Sequence, residues 1–170
     1  MSFPVIMTKR LILRPLVPED RKTIFLLRTD IQVSMYLDRP VTGSETEAAA
    51  FIEKIRSNGD LGLAFYWAIC LNTDPELIGT IGLWNFSEDG TLAELGYEMF
   101  PAFQGRGLMS EAIRAVLDFG FHNRGLTAIE ASTHKDNTRS IKLLSKFRFQ
   151  SLPDKVDADN SNIEVYRLDT

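Results

Sequence analysis

The stretch Phe103-Gln104-Gly105-Arg106-Gly107-Leu108-Met109-Ser110-Glu111-Ala112 joins an extended segment to a helix through two glycines. Upstream, Leu92 to Phe100 alternates like a strand. Downstream, Met109, Ala112, Ile113, Val116, Leu117 and Gly120 recur at helical spacing as far as Gly125, which ends the pattern. The first helical turn therefore falls near Arg106 to Ser110. Its backbone N–H groups have no intrahelical partner, and the positive end of the helix dipole lies there too, so the junction is a ready site for an anion. Gly105 and Gly107 permit close backbone approach or a positive φ, and Arg106 adds charge. Together these features predict a phosphate cradle flanked by Gln104 and Ser110. No Lys-Ser/Thr follows the glycines, which excludes a nucleoside-triphosphate P-loop, and the dinucleotide pattern Gly-x-Gly-x-x-Gly is absent.

With 170 residues, 44% of them hydrophobic, the chain has the length and apolar content for one α/β domain spanning residues 1–170. A net charge of −4, with no Lys/Arg run, argues against a general nucleic-acid surface and suits a cationic substrate or basic partner. The single cysteine, Cys70, excludes an intrachain disulfide, and with only His122 and His134 no metal cluster is expected. The longest nearly continuous apolar run, Leu61 to Leu71, falls far short of the roughly 20 residues of a bilayer span. No signal pattern opens the chain. A soluble, cytoplasmic protein, monomer or homodimer, is the expectation.

Alternation around Ile12 predicts a first strand from Lys9 to Pro15. Pro18-Glu-Asp opens a helix whose acidic first turn suits the dipole, with Ile24, Leu27 and Ile31 on its apolar stripe. Between Asp30 and Gly43 the pattern fails. Ser44, with Glu47 three residues later, caps a second helix through Ala48, Phe51, Ile52 and Ile55. Leu63 to Leu71, Leu77 to Phe86 and Leu92 to Phe100 are strand-like runs separated by turn-rich segments, an antiparallel meander. Ala128 to Thr133 follows as a strand, then a helix from Asn137 to Phe147, a weaker strand from Phe149 to Asp154, and a last strand from Ile163 to Leu168.

Gln104 and Gly107 fit the pattern Gln/Arg-x-x-Gly-x-Gly/Ala, with Met109 at its last, normally small, position. On this block, together with Glu94-Leu-Gly-Tyr-Glu-Met and Asn137-Thr-Arg-Ser-Ile-Lys-Leu-Leu, the chain resembles the GNAT superfamily of acyl-CoA-dependent N-acetyltransferases. Thr8-Lys-Arg-Leu-Ile-Leu-Arg-Pro and Val165-Tyr-Arg-Leu extend the resemblance to its ribosomal-protein N-terminal acetyltransferase branch. It implies a mixed, mostly antiparallel central sheet flanked by helices in the order β-α-α-β-β-β-α-β-α-β-β. The implied reaction is transfer of an acetyl group from acetyl-CoA to a primary amine, without a metal. The implied acceptor is the N-terminus of a protein such as a ribosomal protein. A small amine (polyamine, aminoglycoside or metabolite) is the alternative, and a non-catalytic acyl-CoA-binding domain is a third reading.

The resemblance also assigns residues. Gln104, Gly105, Arg106, Gly107, Leu108, Met109 and Ser110 surround the cofactor phosphates, with Met109 either crowding them or turning into the core. Glu94 alternates with Gly96 and Glu98 on one strand face, where a solvated carboxylate is the plain reading. The resemblance makes Glu94 the general base, directly or through water, with Glu98 near enough to tune it. Gly96 marks a bulge or a close backbone approach, and Met99 and Phe100 offer exposed N–H groups to the pantetheine arm, Met99 N–H being the oxyanion donor. Asn137 is well placed as a helix cap and, by resemblance, contacts pantetheine. Ser140, on the same helical face, is the implied proton donor to the leaving thiolate, with Tyr97 as the fallback. Cys70 and His134 read as structural.

Overall fold

The computed structural model describes residues 3–37, 39–40, 42–156 and 159–170. The alternating run around Ile12 forms Leu11–Pro15 (β2), preceded by a two-residue strand, Ile6–Met7 (β1), too short to show in the sequence pattern. Pro18–Asp20 make a 3₁₀ turn that leads into Arg21–Thr29 (α1). Asp20 is not spent on the helix dipole. Its buried carboxylate accepts two hydrogen bonds from the Arg14 guanidinium, both 2.8 Å, and one from Val17 N, 2.9 Å. Where the periodicity fails, a single helical turn, Ile31–Ser34 (α2), is capped by Asp30, whose side chain accepts from the N–H groups of Gln32 and Val33. Ile31 therefore leaves the α1 stripe and is 81% exposed.

Ser44 caps Glu45–Asp60 (α3) as expected, accepting from Glu47 N at 3.2 Å. The Glu47 carboxylate reaches one residue beyond the cap, to Gly43 N at 2.7 Å. The meander is Phe65–Leu71 (β3), Asp74–Trp84 (β4) and Leu92–Met99 (β5), and the segment after the glycines is Leu108–Asp118 (α4). Leu63 lies outside β3 and is exposed, while Asp74, Pro75 and Glu76, expected in the turn, begin β4. A π-helical turn, Phe119–Asn123, ends α4 before Gly125. Ala128–His134 (β6), Thr138–Lys146 (α5), Gln150–Val156 (β7) and Ile163–Asp169 (β8) complete the order. One mixed sheet results, β1-β2-β3-β4-β5-β6-β8-β7, in which only β5 and β6 run parallel. Relative to the order implied by the sequence, the structure adds β1 and α2.

Each face of the sheet is covered by helices, so its central strands are buried on both sides. On one face Ile24 and Leu27 of α1 and Ala48 and Ile52 of α3 pack on Tyr66, Ala68, Cys70 and Leu77. On the other, Ala112, Ile113 and Val116 of α4 and Leu144 of α5 pack on Trp67, Ile69, Ala93, Leu95 and Ile129. Cys70 is buried and its thiol pKa is pushed up by burial, an inert packing residue.

Gly96 marks no bulge, since β4 and β5 stay in register from Gly79↔Met99 to Trp84↔Glu94. The indole of Trp84 lies over it instead: an added Cβ would sit 2.1 Å from Trp84 Cη2 and 2.6 Å from Cζ2. Gly96→Ala should therefore push the ring off the sheet and lower stability by about 1–3 kcal/mol, the usual cost of overpacking. Urea unfolding in a double-mutant cycle checks the cause. In a Trp84→Ala background the same change should lose most of its effect, and an equal loss in both backgrounds would refute the ring contact.

Candidate active site

Gly107 caps α4 in the left-handed conformation at φ 76°, and Gly105 lies at φ 73°. No side chain caps the helix, so the N–H groups of its first turn are left for a ligand. The cradle is held from behind. Glu111, in that first turn, accepts from Thr8 Oγ1 (2.6 Å), Arg10 N (2.7 Å) and Arg10 Nε (2.7 Å), and Arg10 Nη1 donates to the carbonyl of Arg106 (3.0 Å). Burial works to raise the Glu111 pKa, but the hydrogen bonds from Thr8 and Arg10 outweigh it and hold the carboxyl below its ordinary value. Met109 is partly buried, packing against the core while also lining the cleft beside the cradle.

Beside the cradle, β5 and β6 separate. Their ladder covers only Leu92↔Ala128, Ala93↔Ile129 and Glu94↔Glu130. Phe100 N donates to Ile78 O at 3.0 Å, which fixes the alternation along β5. Even-numbered residues direct their N–H groups to β4, and Tyr97 and Met99 direct theirs toward β6, beyond the last paired residue. Met99 N–H is thus open to the gap, whereas Phe100 N–H is spent within the sheet. Gln104 does not face the cradle with its amide. Its Nε2 donates to Met99 O at 2.8 Å, tying the loop to the open edge of β5.

Across the gap, Asn137 caps α5, its Oδ1 accepting from Ser140 N at 3.1 Å. Ser140 Oγ lies 2.8 Å from Tyr97 Oη, so the two candidate proton donors form one pair bridging β5 and α5. Burial pushes the Tyr97 pKa up to about 12, partly opposed by its bond to Ser140, and both hydroxyls keep their protons at neutral pH. Lys146 Nζ donates to Ser110 Oγ at 3.2 Å, joining α5 to α4. A continuous cleft of about 1650 Å³ runs past the cradle, Met99, Asn137 and Ser140 and on beneath α1 and α2.

Glu94 lies on the opposite face of β5 from Tyr97. It lines the cleft, is partly buried, and accepts from Asn85 Nδ2 at 2.9 Å. Five residues separate it from Met99, about 16 Å of extended chain. Glu98 is not its companion. The Trp84 ring covers Gly96 between them, and Glu98 pairs instead with Arg39, with Nη2 to Oε2 at 2.6 Å. Thr80 Oγ1 at 3.4 Å and Tyr66 Oη, 3.0 Å from Thr80, continue that buried network. Glu130, beside Glu94 on β6, is neutralised by Lys155 and by Arg167 at 3.6 Å. His134 accepts from Asp136 N through Nδ1, 3.1 Å, and does not line the cleft.

Sequence reasoning missed the Thr8–Arg10–Glu111 brace, the Trp84 cover and Arg39. Pairings between residues on different elements, more than 100 positions apart in the brace, leave no local signal.

Residues 10–150 match the family model described as "Acetyltransferase (GNAT) domain". The uncharacterized N-acetyltransferase YoaA of Bacillus subtilis (strain 168) is 34% identical over 148 residues, 87% of this chain and 84% of that protein. Solved structures that share the fold include two ribosomal-protein acetyltransferases. The Vibrio fischeri ribosomal-protein-S5-alanine acetyltransferase has a TM-score of 0.82 at 18% identity over 98% of this chain and 96% of that one. The ribosomal L7/L12 alpha-N-protein acetyltransferase RimL, solved in complex with coenzyme A, has a TM-score of 0.82 at 19% identity over 98% of each.

The Glu111 brace has a pH signature. Because its carboxyl is lowered from the ordinary 4.5 in the fold, it stabilises the protein above that pH, and the contribution disappears as pH falls through the lowered value. Glu111→Gln should therefore unfold at lower urea than wild type at neutral pH, the gap closing in acid. A gap independent of pH would contradict an ionised brace.

Proposed function

This chain belongs to the acetyltransferase (GNAT) family and is an acetyl-CoA-dependent N-acetyltransferase, and we propose that, acting as a single domain, it acetylates the N-terminal amine of a protein, such as a ribosomal protein. The observation that carries the site assignment is the unpaired edge of β5 beside an uncapped, glycine-led helix start. One element of the site suits a thioester carbonyl and the other suits phosphates.

The residues present fit acetyl-CoA. First-turn N–H groups of α4, with Arg106 and Lys146 nearby, hold the phosphates. The open edge of β5 and the Asn137 amide hold the pantetheine arm, and the bound thioester supplies the activated acetyl group. Met99 N–H donates to the thioester oxygen as it gains negative charge, a contact that strengthens toward the transition state. Forming the N–C bond releases a proton from the amine. Glu94 receives it through water, given its distance along β5 from Met99. As the C–S bond breaks, the Ser140 hydroxyl, itself held by Tyr97, hydrogen-bonds the sulfur as it gains charge, and the coenzyme A thiolate leaves to take its proton from solvent. The peptide acceptor is supported by the resemblance of the Thr8 to Pro15 and Val165 to Leu168 segments to the ribosomal branch. It is also supported by a cleft that continues to exposed Met35 and Leu37, room for an extended chain rather than for one small amine.

Incubation with acetyl-CoA and a panel of N-terminal peptides, polyamines and aminoglycosides, read as free-thiol release, tests this reading. Peptides should be the best acceptors, and a polyamine or aminoglycoside turned over faster would overturn the assignment.

Ser140→Ala should lower kcat about 10- to 100-fold, the range for losing one hydrogen bond to a developing charge, while acetyl-CoA affinity changes little. Asn137→Ala should instead weaken acetyl-CoA binding and cost about 1 kcal/mol of stability through the lost cap. Calorimetry and steady-state kinetics separate the two. A raised KM for acetyl-CoA with intact kcat in Ser140→Ala would make the serine a binding residue only.

Glu94→Gln should depress turnover mainly near neutral pH and recover in part as rising pH supplies free amine. The wild-type pH–rate profile in that variant would reduce Glu94 to a surface carboxylate.

A further inference from the structure

Beneath α1 and α2 the cleft is lined by two guanidinium groups, although the chain as a whole is acidic. Arg28 and Arg39 both line it, with one carboxylate between them. Glu98, 6% exposed, pairs with Arg39, 20% exposed, at 2.6 Å and also accepts from Thr80. Arg28 has no acidic partner among the described residues. Its Nε donates to the hydroxyl of Thr42 at 2.9 Å, and its guanidinium lies 4.2 Å from the centroid of the Phe51 ring, which orients the group, and among the described residues nothing accepts a hydrogen bond from its Nη groups. Burial, and then the charge of Arg39, lower the Arg28 pKa, only partly opposed by Glu98. A half-buried guanidinium held in place, repelled by a second one and with no acidic partner among the described residues is stabilised when a ligand supplies the anion. The rest of the wall is aromatic: Phe51 edge-on to Tyr66 at 5.6 Å, and Tyr66 against Trp84 at 6.0 Å. Glu94 does not cancel the charge, since it lies beyond Trp84 and is bonded to Asn85.

Building on the acceptor reading above, we infer that Arg28, backed by Arg39, recognises an anionic group on the acceptor, so that the amine acetylated belongs to a molecule with a carboxylate near its amino group. The fork of Nη donors suits the two oxygens of a carboxylate. Such a carboxylate has two sources, an acidic side chain early in a peptide or the terminal carboxylate of an amino acid or very short peptide. A polyamine or aminoglycoside, wholly cationic, would meet two arginines.

The test compares acceptors matched for N-terminal residue, by free-thiol release. One arm is a blocked-C-terminus peptide with Asp or Glu at the second or third position, the next is its Lys counterpart, and the last is a free amino acid with its amide. Wild type should favour the carboxylate-bearing member of at least one pair by about tenfold or more in kcat/KM, mostly through KM. Whichever pair responds names the source. Arg28→Gln should abolish the preference by raising KM for the acidic acceptor, Arg28→Lys should retain part of it, and acetyl-CoA affinity by calorimetry should be the same in all three. Equal use of both members of every pair by wild type, or a preference that survives Arg28→Gln, overturns the inference while leaving acetyl transfer intact. Thiol release from no acceptor in the panel overturns it together with the acceptor reading.

Discussion

Hydrogen bonding between β5 and β6 ends at Glu94 and Glu130, and the cleft exists because it ends there. Unpaired strand edges are ordinarily unfavourable, since each buried N–H or C=O without a partner costs free energy. Here the edge is partly satisfied from elsewhere. Gln104 takes the Met99 carbonyl, and α5 inserts its capped N-terminus on the far side, joined to β5 through Ser140 and Tyr97. What stays open is a short run of donors, the N–H groups of Tyr97 and Met99, beyond the last paired residue. The parallel direction of this strand pair matters too. A parallel connection requires a crossover, and the crossover is α4, whose N-terminus therefore lies beside the exit from β5.

The cradle depends on a second constraint, the positive φ of Gly105 and Gly107. Loop geometry of that kind tends to move unless something fixes the helix start. Glu111 supplies the fixing point by bonding to the turn between β1 and β2. The edge of the sheet farthest in sequence from α4 thus sets the position of its first turn, which gives the short strand β1 a part in the site.

Strand β5 serves two compartments at once, one for each face. Ala93, Leu95 and Met99 pack toward α4 and α5, with Tyr97 reaching Ser140. Glu94 and Glu98 face the side of α1 and α3, where Trp84 covers Gly96 and Arg39 neutralises Glu98. Alternation along one extended strand separates the proposed cofactor side from the proposed acceptor side, while the backbone between them carries the candidate oxyanion donor.

Much of this was determined by local sequence. Alternation fixed which side chains of β5 share a face, helical spacing fixed α1, α3, α4 and α5 to within a few residues, and Ser44 and Asn137 announced their caps, because each of these is an interaction among neighbours in the chain. The two glycines before α4 marked the cradle for the same reason, since backbone geometry at a helix start is set within one turn. Tertiary structure decided what local rules cannot reach. Glu98 went to Arg39 rather than to Glu94, Ser140 and Tyr97 became one pair, Gly96 made room for an indole, and Arg28 found no acidic partner among the described residues. Each of these outcomes rests on side chains brought together from distant strands and helices, where packing and charge balance, not propensity, choose the partner.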